Sequence, residues 1–129
     1  MNKRSMILLM ALFLLLGCQK EKETEVPTDG VLIRIENTSK YTFKDIKVVI
    51  DEERLYGTLS PRESSNYQAF SKAYRYAYIE LKIKNKLYFL QPIDYFGEEE
   101  LQDGKYTYQL NVDDTSSQSR RLDLTFKKD

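Results

Sequence analysis

Lys105-Tyr106-Thr107-Tyr108-Gln109-Leu110-Asn111-Val112 is the stretch that decides the fold. Tyr106, Tyr108, Leu110 and Val112 take alternate positions, and Lys105, Thr107, Gln109 and Asn111 take the positions between them. A period of two marks a strand with one face on a core and the other in water. Downstream, Asp113 to Ser119 is polar and reads as a loop. Leu122, Leu124 and Phe126 then alternate again and predict a last strand.

The same period runs upstream. Val31, Ile33 and Ile35 alternate with Leu32, Arg34 and Glu36, and Asn37-Thr38-Ser39 marks a turn. Ile46, Val48 and Ile50 predict a second strand, Arg54 to Leu59 a third, and Asn66 to Phe70 a fourth. Ala73 to Lys84 reads as the longest strand, with Lys84-Asn85-Lys86 as a tight turn into Leu87–Gln91. Pro92 to Asp103 holds a Pro, a Gly and three consecutive Glu, and predicts an irregular connection. About seven or eight short strands separated by turn residues, with no helical period after Val31, predict an all-β, antiparallel β-sandwich over 31–129.

Asp103-Gly104-Lys105-Tyr106-Thr107-Tyr108 resembles the start of the penultimate strand in immunoglobulin-like domains, Asp-x-Gly/Ala-x-Tyr-x-Cys. The resemblance implies an immunoglobulin-like or related sandwich. In it Tyr106 forms a tyrosine corner, its hydroxyl bonded to backbone just upstream, and Tyr108 takes the place of the core Cys. Here Gly follows Asp directly, and the chain has neither a Cys pair nor a Trp.

The N-terminus has its own grammar. Lys3 and Arg4 are followed by an apolar run from Met6 to Leu16, the order of a secretory signal. The run is shorter than the roughly 18 apolar residues of a membrane-spanning helix. Leu15-Leu16-Gly17-Cys18 resembles the lipobox of bacterial lipoproteins. It implies removal of residues 1–17 and lipidation of Cys18, whose acyl chains would each gain about 0.8 kcal/mol per buried CH₂. Residues 18–30 then read as a charged tether, since Lys20, Glu21, Lys22, Glu23 and Glu25 surround one apolar residue, Val26. The Gln-Lys-Glu run at 19–21 resembles the surface-export signal of Bacteroidetes-type lipoproteins, and an ordinary charged linker reads equally well. The general look of Leu32 to Lys128, with Tyr74-Arg75-Tyr76-Ala77-Tyr78-Ile79 and Leu90-Gln91-Pro92-Ile93-Asp94-Tyr95, is similar to small uncharacterised lipoprotein domains of those bacteria. The expected location is the cell envelope, anchored to the outer membrane on either its periplasmic or its surface side.

Composition narrows the chemistry. The chain has 20 basic and 20 acidic residues, no His, and Cys18 as its one Cys. Balanced charge gives no general reason to bind nucleic acid. The lack of His and of a second Cys removes Ser-His-Asp and Cys-His catalysis and zinc sites built on those ligands. The expectation is a non-enzyme without cofactor or metal. Asp94, Glu98, Glu99, Glu100 and Asp103 are an acidic cluster whose spacing matches no calcium loop, and they read as a solvated loop.

Tyr74, Tyr76 and Tyr78 are the candidate ligand-binding residues. On one strand they would share a face and span roughly 13 Å, a rigid amphipathic row suited to sugar rings or peptide. The alternative is that these rings are ordinary strand residues covered by neighbouring loops. Together these features predict a membrane-anchored, non-catalytic binding module for a protein or glycan. A lipoprotein inhibitor or immunity protein against a secreted enzyme, with Glu98–Glu100 in the contact, is the second reading.

Overall fold

The computed structural model describes residues 30–93, 98–113, 115 and 119–129. Cys18, the signal segment and all of the tether before Gly30 lie outside the described residues, as does Asp94. Eight strands form: β1 (Val31–Asn37), β2 (Phe43–Val49), β3 (Glu53–Leu59), β4 (Gln68–Phe70), β5 (Tyr78–Ile83), β6 (Lys86–Leu90), β7 (Gly104–Asn111) and β8 (Asp123–Lys128). They make two four-stranded sheets, ordered β4-β1-β7-β8 and β3-β2-β5-β6. The described residues contain no helix. The predicted all-β sandwich is what forms.

One pairing departs from a purely antiparallel plan. β1 lies parallel to β7 over seven register pairs, from Val31 opposite Gly104 to Asn37 opposite Leu110. This register brings Ile33 beside Tyr106 and Ile35 beside Tyr108, so the inward residues of both strands share one face. From the other sheet Phe43, Ile46, Val48, Ile79, Leu81, Ile83 and Tyr88 meet them, all buried. Each such side chain contributes about 1.5–3 kcal/mol on leaving water.

Tyrosine hydroxyls tie the layers together in place of a disulfide. Tyr106 donates to the Gln102 carbonyl at 2.7 Å, the backbone bond that the resemblance implies for this position. Its ring stacks on Phe126 of β8, centroids 5.4 Å apart. Tyr56 of β3 reaches across to the Ile33 carbonyl of β1 at 2.8 Å. Tyr108 donates to the Tyr74 carbonyl. Burial pushes the Tyr56 and Tyr108 hydroxyls far above their ordinary range, so both remain donors.

The sandwich has two distinct ends. Val31, Phe70, Gly104 and Lys128 lie at one, the end at which the described chain begins, and there the Gly104 amide bonds the Gly30 carbonyl at 3.0 Å. The β1–β2 loop, the β5–β6 turn and the β7–β8 loop lie at the other. Lys40, Lys44, Lys82, Lys84 and Lys86 gather at the far end of the β3-β2-β5-β6 sheet.

Candidate functional site

Of the three candidate tyrosines, only Tyr78 lies on a strand. Only Tyr78–Ile83 of the expected Ala73–Lys84 strand is a strand, and residues 71–77 cross irregularly from one sheet to the other. The cause is local. Buried Ala73 and Ala77 pin the crossing into the core, and the Ala73 carbonyl accepts the Leu101 amide at 2.8 Å. The backbone groups that a strand would offer to a ladder are used elsewhere.

The three tyrosines are each half-buried and separately employed. Tyr74 lends its carbonyl to Tyr108. Tyr78 donates to Glu80 at 3.0 Å, and burial together with that carboxylate raises its hydroxyl. Glu80 also holds Lys47 at 2.9 Å, and Lys47 reaches Glu53 at 3.1 Å. The hydrogen bonds from Lys47 and Tyr78 keep Glu80 below the usual carboxylate range. Tyr76 also has an interaction partner. Of the three, Tyr78 stands on β5 and Tyr74 and Tyr76 on the irregular crossing before it.

The acidic connection is likewise dispersed. Glu100 pairs with Lys72 at 3.6 Å, and Lys72 lies 3.9 Å from Asp51. Among the described residues, no three acidic side chains converge as metal ligands would.

A concavity lies at the far end. An open cleft of about 580 Å³ is lined by Lys40, Tyr41, Thr42, Lys44, Ile83, Lys84 and Asn85. Its construction begins at Asn37, which is fully buried at the end of β1. The Asn37 amide nitrogen donates to the Tyr41 carbonyl at 2.6 Å and the Leu59 carbonyl at 3.2 Å. Its oxygen accepts from the Ser39 amide at 2.9 Å and the Ser39 hydroxyl at 2.7 Å. A satisfied buried amide of this kind fixes the loop around it. That loop carries Lys40 and Tyr41.

The opposite wall is the β5–β6 turn. Ile83 pairs with Lys86, so Lys84 and Asn85 are the two turn residues. Both have positive φ, 50° and 65°, the geometry of a type I′ hairpin. Asn tolerates it; Lys does so at a cost of about 1–2 kcal/mol. Lys84 is held there, and its ammonium lies 5.8 Å from the Tyr41 ring centroid. Lys40 lies 5.6 Å from the same centroid. Such contacts hold a cation in place by the ring's quadrupole.

Lys44 completes the lining. It stands opposite Lys82 in the β2–β5 register, and Lys82 pairs with Asp45 at 3.7 Å. Among the described residues, no carboxylate lies within 4.0 Å of the Lys40, Lys44 or Lys84 ammonium groups. Sequence reading passed over this cluster because its members come from two distant segments. The one available signal was Lys at 82, 84 and 86 around a turn.

No protein-family model matches the sequence, and no curated protein matches it. Among solved structures, the NMR structure of a protein from Eubacterium rectale is similar. It superposes with a TM-score of 0.51 at 16% sequence identity, covering 84% of this chain and 94% of that one. At that identity the likeness extends to the fold alone.

Proposed function

We propose that this protein is a lipid-anchored exported lipoprotein whose sandwich binds its ligand without transforming it. The observation that carries the reading is Leu15-Leu16-Gly17-Cys18, placed directly after a short apolar run with a positive flank. The thiol supplies the nucleophile that accepts a diacylglycerol group, and the charged residues after it supply a solvated spacer. The envelope of a Bacteroidetes-type cell is the setting this reading implies, on either the periplasmic or the surface side of the outer membrane. The geometry of the domain supports the same reading. Gly30, the last residue of the proposed tether, bonds to Gly104, and the lysine-lined cleft opens at the opposite end.

Metabolic labelling with an alkyne fatty acid tests the anchor. Wild type is expected to label and to partition into detergent, and Cys18→Ser is expected to do neither. Equal labelling of the two proteins, or a wild type that is soluble without detergent, overturns the anchor.

A further inference from the structure

We propose that the far-end cleft formed by Lys40, Tyr41, Lys44, Lys84 and Asn85 binds acidic sugar chains, recognising their carboxylate or sulfate groups. This deepens the binding-module reading above and rests on it for the cleft's role as the ligand site.

Charge is the first argument. A chain that is neutral as a whole places Lys40, Lys44, Lys82, Lys84 and Lys86 at one end of one sheet, where Lys82 pairs with Asp45. Three of these lysines line one concavity and have no carboxylate partner among the described residues. Like charges held together without an ion-pair partner raise the local concentration of anions. The second argument is pre-positioning. The Tyr41 ring holds Lys40 and Lys84, and buried Asn37 holds the loop that carries Tyr41. The third is strain. Lys84 occupies a left-handed position that Asn or Gly would fill more comfortably. Residues kept in such conformations concentrate at ligand sites.

The shape and lining select the ligand class. At about 580 Å³ the cleft exceeds what an inorganic ion needs and falls in the range of small-molecule sites. Thr42 and Asn85 offer a hydroxyl and an amide for sugar hydroxyls. A peptide is disfavoured, because the cleft lies between a loop and a turn tip, with no free strand edge and only Ile83 as an aliphatic wall. Nucleic acid is disfavoured too. The lining has one aromatic ring, already engaged by two ammonium groups, and no succession of rings for stacked bases.

The test is titration calorimetry on the full chain in non-ionic detergent. The probes are a galacturonic acid tetrasaccharide, a sulfated tetrasaccharide, maltotetraose and tetraglutamate. One or both acidic sugars are expected to bind, more weakly as salt is added, with maltotetraose silent. Which of the two binds separates carboxylate from sulfate recognition. Lys44→Gln and Lys84→Asn are each expected to weaken binding about tenfold. Lys84→Asn also relieves the turn, so its melting temperature should equal or exceed that of wild type while binding falls. Absence of acidic-sugar binding, affinity unchanged in both variants, or tighter binding of tetraglutamate overturns the proposal. These failures leave Cys18 labelling untouched. Loss of the anchor, conversely, would leave acidic-sugar binding at the cleft in place.

Discussion

Single hydroxyls and carboxylates hold more of this fold than their number suggests. Tyr106 illustrates the hydroxyl case, since its ring is buried beside Phe126 and its oxygen caps the Gln102 carbonyl. Tyr106→Phe keeps the ring and leaves that carbonyl without its donor, so stability should fall by about 1–2 kcal/mol. Urea unfolding measures it, and equal midpoints would remove the corner's role. Asp129 illustrates the carboxylate case. It lies on the outer face of β7, accepting the Thr107 hydroxyl at 2.7 Å and the Tyr67 hydroxyl at 2.6 Å, with Arg34 at 3.6 Å. Burial opposes its ionisation, but the Thr107 and Tyr67 hydrogen bonds and the Arg34 charge outweigh it and hold the carboxyl below its ordinary 3.8. A depressed folded value adds stability above the ordinary one and loses it as pH falls through the folded one. Asp129→Asn should therefore cost about 1 kcal/mol at neutral pH, with the gap to wild type closing below pH 3.8. A gap in urea midpoints that stays constant through that range would assign the effect to packing. The Tyr106 contact was legible in sequence because its partner lies four residues away. The Tyr108 contact to Tyr74 and the Tyr67 contact to Asp129 were not, because only the tertiary fold brings those segments together.

At the scale of elements, alternation found the strands and missed what interrupts them. Extending the Ile46, Val48, Ile50 pattern backwards would put Lys44 in the core. Instead Phe43 and Ile46 both face inward, three residues apart, because the β2–β3 register shifts between them. Asp45 at φ 52° and Gly57 at φ 74° absorb the extra residue. That bulge turns Lys44 out to line the cleft. The Lys84-Asn85 turn was legible from composition, though its second strand starts at Lys86, one residue earlier than the spacing suggests. The Ala73–Lys84 segment misled for a physical reason. Tyr and Ala at alternating positions suit a strand, but a chain passing between two sheets also buries every second or fourth residue. Periodicity does not tell a crossing from a ladder.

Across the whole molecule, the β1–β7 pairing joins the end at Gly30 to the end that carries the cleft. β1 begins at the residue after Gly30 and runs the length of the sandwich to Asn37, which fixes the cleft loop. Tension between an anchored tether and a ligand held at the far end would pull along the axis of β1. Its ladder to β7, seven register pairs long, then bears the load in shear, all pairs together, where β8 could be peeled pair by pair from its free edge. In single-molecule pulling, handles at Gly30 and Lys84 should give one abrupt rupture. Handles at Gly30 and Lys128, both at the tether end, should give rupture at lower force, beginning with β8. Equal rupture forces in the two geometries would show that β1 carries no such load. A domain whose first strand is paired this way is expected to resist most along the line from Gly30 to the cleft.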